Sequence, residues 1–75
     1  MENLKKGDIL IYKDVNNGLF HNARVMKTNK KFTHVSINFS DRFEEQVLKT
    51  EKLINFLNGG IAENNEAVSR YSLKP

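Results

Sequence analysis

The sequence contains no cysteine. That excludes disulfides and thiolate-ligated metals, and it fits a reducing cytoplasm, the host's if a phage encodes the chain. A chain of 75 residues without such a staple must rest on its apolar core or on self-association into a homo-oligomer. At this size it buries only roughly 60% of the surface that its unfolded form exposes. No apolar run approaches the roughly 20 residues of a membrane-spanning helix. The run after Met1-Glu2-Asn3-Leu4-Lys5-Lys6 is too short for a secretory signal, so the expectation is a soluble chain without a membrane partner. Catalytic patterns are missing too. Glu44 and Glu45 are adjacent, so on a strand they point to opposite faces and form no carboxylate pair. Ser36, Ser40, Ser69 and Ser72 lack a His–Asp arrangement. Lys5-Lys6-Gly7-Asp8 lacks the glycine spacing of a phosphate loop. His21 and His34, with no carboxylate or thiol beside them, make a poor metal site. The chain reads as a non-enzyme that needs neither metal nor cofactor.

What is present is a hairpin between Phe20 and Phe39. Its second arm alternates: Thr33, Val35, Ile37 and Phe39 share one face, and His34, Ser36 and Asn38 the other. A period of two marks a strand with one buried and one wet face. On the first arm, Ala23 and Val25 point inward and Arg24 and Met26 outward, with Asn29-Lys30-Lys31 as the turn. A lone hairpin is marginal in water, so the flanks must add strands. Ile9-Leu10-Ile11-Tyr12 is β-branched and apolar on both faces. Residues 14–18, Asp-Val-Asn-Asn-Gly, suit a reversal. Phe43 to Leu48 reads as a fourth strand whose glutamates suit a solvated edge. Thr50 then stands as an N-cap, Glu51 meets the helix dipole, and Leu53, Ile54 and Leu57 form a helical stripe. The helix runs over about 51–58, plugs an open end of the barrel, and stops at Gly59. In the tail, Ala67, Ser69, Tyr71 and Leu73 fit a fifth strand, while Ile61, Val68 and Tyr71 fit a helical face; the strand is preferred. With no repeat and no low-complexity linker, residues 1–75 form one domain, with the barrel core at about 6–58 and a C-terminal extension at about 59–75.

Charge is uneven along the chain. Residues 1–40 hold seven Lys/Arg against three Asp/Glu, a balance of +4, and residues 41–75 hold five against six, a balance of −1. A basic half attracts nucleic acid or an acidic protein. Aromatics, Arg and Met are enriched at interaction surfaces, which makes Tyr12, Phe20, His21, Arg24, Met26 and His34 the candidate protein-binding set. Arg24, Lys27, Lys30 and Lys31 are the alternative set, placed for phosphates, with nearby aromatics for bases. Tyr12 and Leu10 are expected beside the wet face, and His21 could face His34 across the hairpin. The wealth of Asn and Lys fits an A/T-rich bacterial or phage genome, and the expected role is an accessory protein that binds and modulates a host factor.

The pattern resembles a Tudor domain, one of the SH3-like small barrels. The residues that carry it are Lys6-Gly7-Asp8, then Gly18-Leu19-Phe20-His21-Asn22-Ala23-Arg24-Val25, His34-Val35-Ser36-Ile37, and Glu44-Glu45-Gln46-Val47-Leu48 running to Leu53-Ile54. The resemblance covers roughly residues 6–54. It implies a mostly β fold: a small SH3-like (Tudor-like) barrel of four to five antiparallel strands with one short helix near 51–58. Tudor domains typically hold methylated lysine or arginine in an aromatic cage by cation–π attraction. The family's cage positions fall here on His21, on Asp14 with Tyr12 two residues earlier, and on Asn38 to Ser40, where Phe39 is aromatic. Tyr12, Phe20 and His21 make a partial cage. The resemblance therefore implies a barrel and a binding role rather than the reading of methyl marks.

Overall fold

The computed structural model describes residues 3–63 and 66–75. Five strands, β1 (Ile9–Lys13), β2 (Phe20–Thr28), β3 (Phe32–Asn38), β4 (Phe43–Lys49) and β5 (Tyr71–Leu73), form one antiparallel sheet in the order β4-β3-β2-β1-β5. One helix, α1 (Thr50–Leu57), follows β4 without a loop, and a 3-10 turn (Ala67–Arg70) leads into β5. The tail keeps only part of each expected pattern: Val68 and Tyr71 are buried at helical spacing while Ile61 is exposed, and the strand is confined to Tyr71–Leu73, with Ala67 and Ser69 in the 3-10 turn. Among the described residues no helix is long and apolar enough to cross a membrane.

The alternation along the hairpin gives the faces as expected. Thr33, Val35 and Ile37 are fully buried, as are Ala23 and Val25, while Arg24 and Asn38 are exposed. The β2–β3 register runs Ala23↔Ile37 and Val25↔Val35, then slips, so that Lys27 rather than Met26 faces His34. Met26 is the extra residue of a β-bulge. A bulge sharpens the local twist, and here it turns two successive side chains, Met26 and Lys27, toward solvent.

Leu10, Tyr12, Leu48 and Tyr71 complete the inner face of the sheet, and Leu53, Ile54, Phe56 and Leu57 of α1 with Val68 of the 3-10 turn pack against it. The helix lies against β4, β5 and the 3-10 turn. Its end carries two reversed hydrogen bonds: Gly60 N–H donates to Asn55 O at 2.8 Å and Gly59 N–H to Phe56 O at 3.0 Å. That pairing is the Schellman stop, and it needs the left-handed φ of +99° that Gly59 supplies.

Two expectations change here. The sheet is open, because β4 and β5 are its two edges and no ladder joins them among the described residues. The edges are linked instead by one side-chain bond, Tyr71 Oη donating to Gln46 Oε1 at 2.8 Å. Nor is Thr50 an N-cap. Lys49 holds that position, and Thr50 is the first helical residue, with its side chain buried.

The Thr50 hydroxyl has other work. It donates to Asn29 O at 2.7 Å and lies 2.7 Å from the Thr33 hydroxyl, which lies 2.8 Å from that of Thr28. A hydroxyl has one proton. Since Thr50 gives its proton to Asn29 O, Thr33 must donate to Thr50, and Thr28 to Thr33. The chain Thr28→Thr33→Thr50→Asn29 O therefore has one direction, and it latches the β2–β3 turn to the start of α1. Thr50→Val removes two hydrogen bonds, the one to Asn29 O and the one with the buried Thr33 hydroxyl, which is left with Thr28 alone. The expected loss is about 1–3 kcal/mol, read as a lower urea midpoint at unchanged m-value. A midpoint equal to that of the parent protein would show that the chain adds no net stability.

Candidate binding surfaces on the sheet and the helix

The outer face of the sheet is uncovered. Its rows follow from the register: Ile9 opposite Arg24, Arg24 opposite Ser36, and Ser36 opposite Glu45. One row over, Lys27 faces His34 and His34 faces Val47. Ile11 faces Asn22, and Asn38 faces Phe43, nearer the other end. A shallow concavity of about 460 Å³ is lined by Ile9, Asn22, Arg24, Met26, Ser36, Asn38 and Phe43. Phe43 is 70% exposed and Met26 42%, a large apolar outlay for a small sheet. Arg24 makes no ion pair among the described residues.

Of the six residues expected to bind protein, Arg24, Met26 and His34 share this face. Phe20 is outward too, 64% exposed, with Lys13 Nζ 5.8 Å from its ring centre. Tyr12 and His21 do not belong there. Tyr12 is buried on the inner face with Leu10, and it is Ile9 and Ile11 that accompany the wet face. His21 pairs with Tyr12, so it does not face His34, which pairs with Lys27.

The inner face gathers rings in place of the expected partial cage. His21 and Phe39 lie 4.7 Å apart, Tyr12 and Phe39 5.9 Å, and Tyr12 and Tyr71 5.2 Å. Phe20 takes no part in these contacts. The tyrosine rings meet edge-on, an arrangement that fills space as core and leaves no slot between them. Arg42 stacks its guanidinium 4.7 Å from the Phe39 ring centre while bonding Asp41 and Glu44 at 3.1 Å. His21 Nε2 is shielded from solvent and has no hydrogen-bond partner among the described protein atoms.

A second concavity lies at the other end. It measures about 520 Å³ and is lined by Lys30, Lys31, Phe32, Lys49, Glu51, Lys52 and Asn55. Of the four residues expected to hold nucleic acid, only Lys30 and Lys31 line it. Arg24 sits in the outer concavity, and Lys27 stands beside His34. The charge split read along the chain is not a split in space, because Lys49 and Lys52 come from the acidic half. Phe32 was legible in principle: Thr33 points inward, so its neighbour must point out, beside two lysines. Lys49 and Lys52 carried no such signal, since their place depends on β4 and α1 returning to the hairpin turn.

Compared with known proteins, the chain matches no family model, no curated protein and no solved structure.

Proposed function

We propose that this chain is a non-enzymatic binding module that docks on another protein through the outer face of its sheet. The observation that carries this reading is the concavity holding Arg24, without an ion-pair partner among the described residues, between exposed Met26, Ile9 and Phe43. A guanidinium beside uncovered apolar groups is a common centre for a protein contact. The complementary partner presents an apolar knob with a carboxylate next to it. The arrangement also supports the SH3-like reading of the fold. Five antiparallel strands, a short helix after the fourth and a side-chain link between the two edges are compatible with a small, strongly bent sheet of that kind.

The test is capture from a bacterial lysate treated with nuclease, at moderate salt. The parent protein is expected to retain a single protein, and Arg24→Glu and Met26→Ser to reduce it at least about tenfold, the range for central interface residues. Both positions are exposed, so each variant keeps its fold, which circular dichroism checks. Retention unchanged by both variants would remove the outer face as the docking surface. Retention of no protein from the nuclease-treated lysate would remove the reading altogether.

A further inference from the structure

The concavity between the β2–β3 turn and α1 is a second surface, sharing no residue with the outer one. Four lysines line it, Lys30, Lys31, Lys49 and Lys52, against one carboxylate, Glu51. Lys52 alone of the four has an ion-pair partner among the described residues, Glu66 at 3.7 Å. Within this ring of ammonium groups stands Phe32, 45% exposed. An exposed ring among cations gains at most a weak cation–π attraction in water. It gains when a flat, apolar surface covers it, and the cations gain when anions meet them.

The frame is rigid. Asn29 Oδ1 accepts from both Lys31 N–H and Phe32 N–H at 2.8 Å. Thr50 N–H donates to Lys31 O at 3.1 Å, and the Thr50 hydroxyl donates to Asn29 O at 2.7 Å. The turn that carries two of the lysines is thus bound directly to the helix that carries the third, Lys52. Phe32 and Lys49 are opposite one another in the β3–β4 ladder, which fixes the fourth beside the ring. Side chains set on a held frame lose less freedom on binding.

The geometry points to single-stranded nucleic acid as the ligand of this groove. Lysines act as point charges for phosphates, and an exposed ring offers a stacking platform for a base. A duplex keeps its bases stacked in its interior, so it can use the lysines but not Phe32. A peptide of acidic residues alone likewise supplies charge but no flat face. A single strand supplies both, and lysines with one phenylalanine imply little sequence preference.

Fluorescence anisotropy with a labelled oligothymidylate tests this. Binding is expected at about 50 mM salt, with log affinity falling linearly as log salt rises. Lys31→Gln and Lys49→Gln should each flatten that slope by about 0.7, as expected for one single-strand phosphate contact. Phe32→Ala should weaken binding about tenfold while leaving the slope unchanged. Lys74→Gln, at an exposed position outside both concavities, should change neither, and the assay contains no partner protein, which keeps this result distinct from the protein-docking one. Circular dichroism confirms that the variants, all at exposed positions, remain folded. No binding at about 50 mM salt, or Phe32→Ala binding as well as the parent protein, would overturn the assignment. So would a duplex or polyglutamate competing as well as the unlabelled oligothymidylate at equal charge.

Discussion

Ile37→Ala is expected to cost about 2–5 kcal/mol of folding stability, enough to unfold much of a domain this small. The side chain is fully buried in the central hairpin, facing Ala23 on β2 and lying level with Glu44 on β4. Its removal leaves a void that Ala23, already minimal, cannot fill. Neighbouring strands hold the backbone on both sides, so the site cannot collapse around the gap. His34→Ala is the matched control. His34 lies on the opposite face of the same strand, so its loss should stay within about 0.5 kcal/mol. Urea denaturation reads both. A loss below about 1 kcal/mol for Ile37→Ala would mean that the register is slipped, because one residue of slip exchanges the two faces.

Tyr71→Ala should be as damaging, at about 3–5 kcal/mol by comparison with other buried aromatics. Tyr71 is only 2% exposed, packs edge-on against Tyr12, and joins β5 to β4 through Gln46. β5 has only three residues. Without the ring it has little reason to stay on β1, and the helix loses part of the surface on which it rests. Tyr71→Phe isolates the hydroxyl. Gln46 is half-buried and regains water, so the expected cost is about 0.5–1.5 kcal/mol.

The same phenol makes stability depend on pH. Burial raises its pKa above the ordinary value, nearby Tyr12 adds to the rise, and Arg70 opposes it. An acid whose pKa is raised on folding holds its proton more firmly in the folded state. Its contribution is complete below the unfolded value of about 10 and is lost as pH climbs beyond it. The melting temperature should therefore fall as pH climbs beyond about 10, and fall less steeply in Tyr71→Phe. Equal alkaline losses in the two proteins would place the effect on other groups.

The sequence by itself determined the parts of this protein that repeat with a local period. Thr33, Val35 and Ile37 alternate with His34, Ser36 and Asn38, and burial follows that alternation because a pleated strand can present side chains in no other way. The polar turns and the glycine stop of the helix were equally legible, since they depend on backbone angles that few residues adopt. The outward placement of Arg24, Met26 and His34 along the hairpin came from the same alternation.

Only the tertiary structure decided what lies between elements. Ile9-Leu10-Ile11-Tyr12 is apolar on both faces, so pairing with β2, rather than pattern, sent Leu10 and Tyr12 inward and left Ile9 and Ile11 out. The slip at Met26 follows no period at all. Thr50 obeys the local rule for a helix cap until Asn29 O and Thr33 arrive from the hairpin and take its hydroxyl. Lys49 and Lys52 reach Lys30, Lys31 and Phe32 for the same reason. Long-range contacts form wherever buried polar groups find partners and apolar faces meet, and a local pattern holds no record of which distant segment will supply them.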